Sequence, residues 1–112
     1  IVEKIPALDW LDTRSSLHVL RIMQEALTNI IKHTQATEVT LATWRDGDYV
    51  MVKISDNGVG FNVEASLQNG GRGLSSQLYR AKAIGAQVSW LSDDADTSMT
   101  LRLPIKQKPL VQ

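Results

Sequence analysis

Between Leu17 and Ile31 apolar side chains recur at helical spacing: Leu20, Met23, Leu27, Ile30 and Ile31, with Val19 and Ala26 alongside. Steps of about 100° per residue gather them on one side, which predicts an amphipathic helix running to about Thr34 with that side in the core. Ser15-Ser16 supplies capping hydroxyls at its start. The same projection collects His18, Arg21, Glu25, Asn29 and Lys32 into a stripe on the opposite side. After Gln35-Ala36 the pattern becomes that of strands. Two β-rich runs, Glu38 to Trp44 and Tyr49 to Ile54, flank Asp46-Gly47 and predict a hairpin. Leu74, Leu78 and Ala81 predict a second helix from Leu74 to Ile84, with Gly85 as its left-handed stop. Gln87 to Leu91 and Ser98 to Leu103 alternate as a second hairpin around Asp93-Asp94-Ala95-Asp96, closed by Pro104. A short edge strand is expected before Asp12, and Asn62 to Gly73 reads as linker.

Amphipathic helices and hairpins of this kind assemble as an α+β two-layer sandwich, with helices on one face of a mixed, mostly antiparallel sheet. A chain of 112 residues with 43% hydrophobic content supports one packed core, so one domain is expected over residues 1–112, densest from about 17 to 104. The start at Ile1, without methionine, fits a piece of a longer protein.

Charge and composition narrow the chemistry. Twelve basic and twelve acidic residues cancel, so there is no broad positive field for nucleic acid or an anionic membrane, and any anion must be held locally. There are no cysteines and two histidines, which excludes disulfides and thiolate metal sites. No apolar run reaches the roughly twenty residues that span a bilayer, and no signal-peptide pattern is present.

Three segments carry candidate chemistry. In Glu25-Ala26-Leu27-Thr28-Asn29-Ile30-Ile31-Lys32-His33, Glu25 and Asn29 are one turn apart with Lys32 beside them. An amide oxygen with phosphate oxygens and water makes a reasonable Mg²⁺ shell, and Glu25 could orient or deprotonate a nucleophile. An ordinary solvated helix face has the same residues. In Ser55-Asp56-Asn57-Gly58-Val59-Gly60-Phe61, the strand delivers Asp56 as a fixed acceptor for an exocyclic amine, and Gly58 and Gly60 admit a flat ring; a plain turn reads the same way. In Asn69-Gly70-Gly71-Arg72-Gly73-Leu74-Ser75-Ser76, glycines run into a helix start, as in a phosphate cradle or lid, or in a flexible linker. Neither glycine segment has the third glycine of a dinucleotide fingerprint, and no Gly-Lys-Ser/Thr ending is present, which disfavours Rossmann and P-loop enzymes.

Taken in order, Gln24-Glu25-Ala26-Leu27-Thr28-Asn29 with Lys32-His33, then Asp56-Asn57-Gly58-Val59-Gly60-Phe61, then Gly71-Arg72-Gly73-Leu74, resembles the nucleotide boxes of the ATPase domain shared by histidine kinases, DNA gyrase and heat-shock chaperones, the GHKL or Bergerat superfamily. The similarity covers about Leu17 to Pro104 and is greatest to the compact nitrate-sensor-type and membrane-fluidity-sensor-type histidine kinases. The resemblance implies a Bergerat-type fold that binds ATP and Mg²⁺. It implies that Asn29 ligates the metal, that Glu25 is the acid/base or water-orienting group, and that Lys32 contacts phosphate, with His33 at the phosphate border. It further implies that Asp56 reads adenine, that Gly58 and Gly60 shape the purine pocket, and that Gly71, Arg72, Gly73 and Leu74 form the nucleotide lid. His18 reads as a surface histidine.

For function, the resemblance implies the catalytic domain of a two-component sensor kinase. It presents the γ-phosphate to a histidine on a separate helical dimerisation domain, for onward transfer to a response regulator. The intact protein is expected to be homodimeric and able to carry a membrane anchor, with this domain cytoplasmic and no nucleic-acid partner. An anti-sigma-type serine kinase, a gyrase-like ATPase and a non-catalytic nucleotide-sensing module are the alternatives. Two departures stand out: Ser75-Ser76-Gln77-Leu78-Tyr79 precedes Arg80 where the family has a glycine-methionine pair and an acidic residue, and the interval between glycine boxes is short and lacks a second phenylalanine.

Overall fold

A computed structural model describes residues 12–33, 35–92 and 96–105. The edge strand expected before Asp12 and the centre of the Asp93-Asp94-Ala95-Asp96 turn lie outside the described residues. Helix α1 spans Thr13–His33, strands β1 Val39–Asp46 and β2 Tyr49–Asp56 follow, then helices α2 Val63–Asn69 and α3 Leu74–Ala83, then strands β3 Gln87–Ser92 and β4 Thr97–Pro104. The strands lie in the order β1-β2-β4-β3. Every pairing among the described strands is antiparallel.

The start of α1 differs from the serine cap expected. Asp12 lies just before the helix, and its Oδ1 accepts from the Ser15 N–H at 2.6 Å while its carbonyl accepts from the Ser16 N–H at 2.9 Å. A carboxylate there satisfies a free donor and also meets the positive helix end. Ser15 is buried in the first turn. The core-facing side is also different. Ile22 and Ala26 are buried, with Val19, Met23 and Ile30 packed beside them, whereas Leu20 is 51% and Ile31 81% exposed. The helix has more apolar surface than the sheet can cover, so periodicity alone placed the core face a few positions off.

In β2, Val50, Val52, Ile54 and Asp56 are buried, while the alternate residues are half-exposed. The helices therefore cover one face. Register arranges that face in rows. Val52 lies opposite Thr43 and Leu101, and Ile54 opposite Leu41 and Met99. The next row is Val39, Asp56, Thr97 and Ser92, where the inner face turns polar. On the outer face Arg102 stacks 3.6 Å over the Tyr49 ring. Gly47, at φ +60, occupies the first central position of the β1–β2 loop, one residue later than Asp46-Gly47 suggested. Glycine takes this place in a II′ turn.

The stretch read as linker contains α2. Asn62 caps it, its Oδ1 accepting from the Ala65 N–H at 2.8 Å, and Gly70 ends it at φ 75°. A single 3₁₀ turn, Gly71–Gly73, then leads into α3. Helix α3 closes as predicted at Gly85: the Ala86 N–H reaches the Ala81 carbonyl at 2.8 Å and the Gly85 N–H reaches Lys82 at 3.1 Å, a Schellman pair.

Candidate nucleotide site

Asp56 and Thr97, from the polar row at the end of the sheet, line a pocket. Ile54, Met99 and Trp90 line its base, Ala26, Ile30 and Leu74 its sides, and Asn29, Asp56, Phe61, Arg72, Thr97 and Ser98 complete the lining. Its cavity volume is about 30 Å³, and it opens to solvent. Apolar walls with a few convergent polar groups suit a small aromatic ligand.

Each polar group is held by the local fold. Asp56, 5% exposed, ends β2, and one carboxylate oxygen, Oδ1, accepts from the Gly58 N–H at 2.9 Å. This Asx turn fixes the side chain and reverses the chain at buried Gly58. Neither Gly58 nor Gly60 needs a positive φ; the left-handed glycines are Gly47, Gly70, Gly73 and Gly85. Asn57 acts as a clamp between segments. Its Oδ1 accepts from the Thr37 and Glu38 N–H groups at 2.9 and 3.0 Å, and its Nδ2 donates to Thr37 Oγ1 at 2.9 Å, tying the α1–β1 connection to the strand end. On the far side, Ser92 Oγ lies 2.9 Å from Thr97 Oγ1 and accepts from the Phe61 N–H at 2.9 Å, which anchors the loop carrying Phe61.

The glycine segment closes over this floor. Asn29 Nδ2 donates to the Arg72 carbonyl at 2.7 Å, and the Arg72 guanidinium lies 4.4 Å from the Phe61 ring centroid. Burial lowers the Arg72 pKa from its ordinary value, while the Asp56 carboxylate acts in the opposite direction. Arginine remains protonated through the physiological range, so the pocket contains a fixed cation. Arg72 has φ 59° and its neighbour Gly73 φ 67°, so the backbone here is in the left-handed region twice in succession. The Gly71 N–H is occupied by Asn69 Oδ1 at 2.8 Å.

Asn29, Asp56, Arg72 and Leu74 thus share one pocket. Glu25 does not line it. Its carboxylate packs against Gly73 from the other side, where a Cβ on Gly73 would stand 2.5 Å from Oε1, and it lines a groove between α1 and α3. Lys32 and His33, in the last turn of α1, are exposed and line neither. His18 is half-buried rather than superficial, with Nδ1 enclosed and unpartnered among the described residues. Phe61, Trp90, Thr97 and Ser98 are lining residues that the sequence reading did not single out as site residues. Phe61 ends the second glycine box and was the accessible signal; the strand residues depend on register.

A four-stranded antiparallel sheet covered by helices on one face, with a pocket joining the long helix, the strand-ending aspartate and a glycine turn, is the architecture of an ATPase domain. Residues 15–107 match the family described as histidine kinase-, DNA gyrase B-, and HSP90-like ATPase, and the chain belongs to it. It is therefore an ATP-binding domain. Among relatives, sensor protein VraS of Staphylococcus aureus is 36% identical over 92 residues, covering 81% of this chain and 26% of that protein. VraS of Staphylococcus epidermidis is 35% identical over the same length and coverage. The chain thus spans about a quarter of the length of these relatives. The fold is shared with the histidine kinase domain of a blue-light activated histidine kinase from Erythrobacter litoralis, at TM-score 0.77 and 19% identity, over 93% of this chain and 53% of that one. Histidine kinase AdeS of Acinetobacter baumannii gives TM-score 0.71 at 16% identity, over 81% and 47%.

Proposed function

We propose that this domain works within a longer sensor histidine kinase, binding Mg-ATP and presenting its γ-phosphate to a histidine on a helical dimerisation domain, from which a response regulator receives it. The supporting observation is the convergence of Asn29, Asp56 and Arg72 on one pocket. Asp56, buried and fixed by Gly58, is placed to accept from the adenine amine above the apolar base. Asn29 commits its Nδ2 to Arg72, so Oδ1 is the atom directed to a cation. No group of three or more His, Cys, Asp or Glu side chains that could hold a metal occurs among the described residues. That fits Mg²⁺, which arrives with phosphate and water and needs few protein ligands. Arg72 and the start of α3 supply positive potential for the phosphates. Glu25 faces the groove beside Gly73, where an acceptor imidazole entering between α1 and α3 would meet a carboxylate acid/base. Lys32 and His33, exposed at the end of α1, would reach phosphate only as mobile outer groups.

No described helix is long and apolar enough to cross a membrane. We place the domain on the cytoplasmic side of its parent protein, where ATP and the response regulator are found.

The test is γ-labelled ATP incubated with the full-length protein. Acid-labile, base-stable incorporation that disappears in Asn29→Ala and Asp56→Asn supports the reading. Mg-ATP binding without any transfer, or transfer to a serine, would replace it.

A further inference from the structure

The buried face of α3 is built from Leu74, Gln77 and Ala81. Gln77 is out of place there. It is 1% exposed, and neither Nε2 nor Oε1 has a hydrogen-bond partner among the described residues. Buried amides are nearly always satisfied, so a bare one in the middle of a helix interface needs a reason.

Position within the helix supplies one. Gly73 is the N-cap of α3, and Gln77 follows it by one turn, so the two share a face. Helical side chains lean toward the N-terminus, which carries the Gln77 carboxamide back over Gly73. That space is bordered by Glu25, whose Oε1 and Cδ stand 2.5 and 2.9 Å from where a Gly73 Cβ would be. Gln77 and Glu25 line the same groove. An amide donor without an acceptor therefore shares a groove with a carboxylate that no other described residue is seen to bind through a hydrogen bond or salt bridge.

We propose that Gln77 is a positioning residue for Glu25: its Nε2 donates to the Glu25 carboxylate once bound nucleotide draws the Gly71–Gly73 turn away from it. The contact selects the Glu25 rotamer that faces the groove. This rests on the acid/base reading of Glu25 given above. Gln77 touches no substrate itself; it acts through Glu25.

The experiment compares Gln77→Met, Glu25→Gln and the double variant in the full-length protein, reading kcat and KM for ATP in autophosphorylation together with Tm. Methionine matches glutamine in length and carries no amide. Gln77→Met is expected to lower kcat about tenfold with KM changed less than about twofold, the scale of a misplaced catalytic group. In the Glu25→Gln background the same change should alter kcat by less than about twofold, because the two residues act as one unit. If Gln77→Met raises Tm and leaves kcat alone, or if the two effects multiply, the inference is overturned. If Glu25→Gln leaves kcat unchanged while Mg-ATP still binds, the acid/base reading of Glu25 falls and the inference with it. Absence of Mg-ATP binding by the unmodified protein would instead sink the proposed function. Should Gln77→Met lose its thermal transition, Gln77→Leu makes the same comparison.

Discussion

Asn29 and Arg72, forty-three positions apart, are joined by a hydrogen bond of 2.7 Å from the Asn29 side-chain amide to the Arg72 main-chain carbonyl. The bond ties the long helix to the glycine turn, and both residues line the pocket. Asn29→Ala should therefore do two separable things. It should abolish Mg-dependence in the titration of a fluorescent ATP analogue, and it should speed amide exchange across Arg72 to Leu74. The loss in global stability should be small, about 1 kcal/mol, as for one partly buried hydrogen bond.

Asp56→Asn tests recognition at the other end of the pocket. The asparagine Oδ1 can still accept from the Gly58 N–H, so the turn survives and Tm should move little. What is lost is a charged acceptor, and an amide donor can face the ligand instead. ATP affinity should fall by about 1.5–3 kcal/mol, roughly 10- to 150-fold, in the same titration. Unchanged affinity would remove Asp56 from the purine site.

Two glycines separate backbone strain from steric conflict. Gly85 has φ +71 with nothing within 4 Å of an added Cβ, whereas Gly73 has φ +67 and meets Glu25 Oε1 at 2.5 Å. Alanine at either position costs about 1–2 kcal/mol of left-handed backbone. The Glu25 carboxylate is the end of a flexible side chain and can swing into the groove, so Gly73→Ala should cost at most about 1 kcal/mol more, a further drop of no more than about 4–8 °C in Tm. Glu25→Ala should remove that difference. A drop for Gly73→Ala that Glu25→Ala leaves unchanged would contradict the packing of Glu25 on Gly73.

Arg72→Ala removes the cation 4.4 Å from Phe61. The stacking is worth about 0.5–1 kcal/mol at such a site, so stability should change little. Affinity for ATP should drop and lose part of its salt dependence, while adenosine binds as before. Isothermal titration of the two ligands at two salt concentrations reads this directly. A parallel loss of adenosine would place the guanidinium against the base.

How far the sequence discloses this architecture depends on the kind of signal. Strands β1 to β4 are visible because a one-sided sheet forces alternation, and Gly85 is visible because a left-handed stop favours glycine. The three boxes are visible together because their order is specific even where each is ordinary. Helix α2 is hidden by the glycines around it: Asn62 is a good cap, yet the segment buries no residue fully, so no apolar stripe announces it. The core face of α1 is misread because Leu20, Leu27 and Ile31 are as apolar as the residues that pack. Lys32 projects beside Asn29 on a helical wheel but is not among the residues that line the pocket, because only the helix face toward the sheet reaches it. Thr97 and Ser92 depend on strand register, which is a pairing and leaves no trace in either strand alone.

Asp56, Thr97 and Ser92 end the apolar inner face of the sheet in a polar row. One row further in, buried Ile54 and Met99 and half-buried Trp90 line the pocket. If the purine of a bound nucleotide lies against them, as proposed, its burial adds to the stability of the folded domain. Occupancy and thermal resistance become two readings of one equilibrium, so a melting curve recorded against rising nucleotide concentration doubles as a binding isotherm.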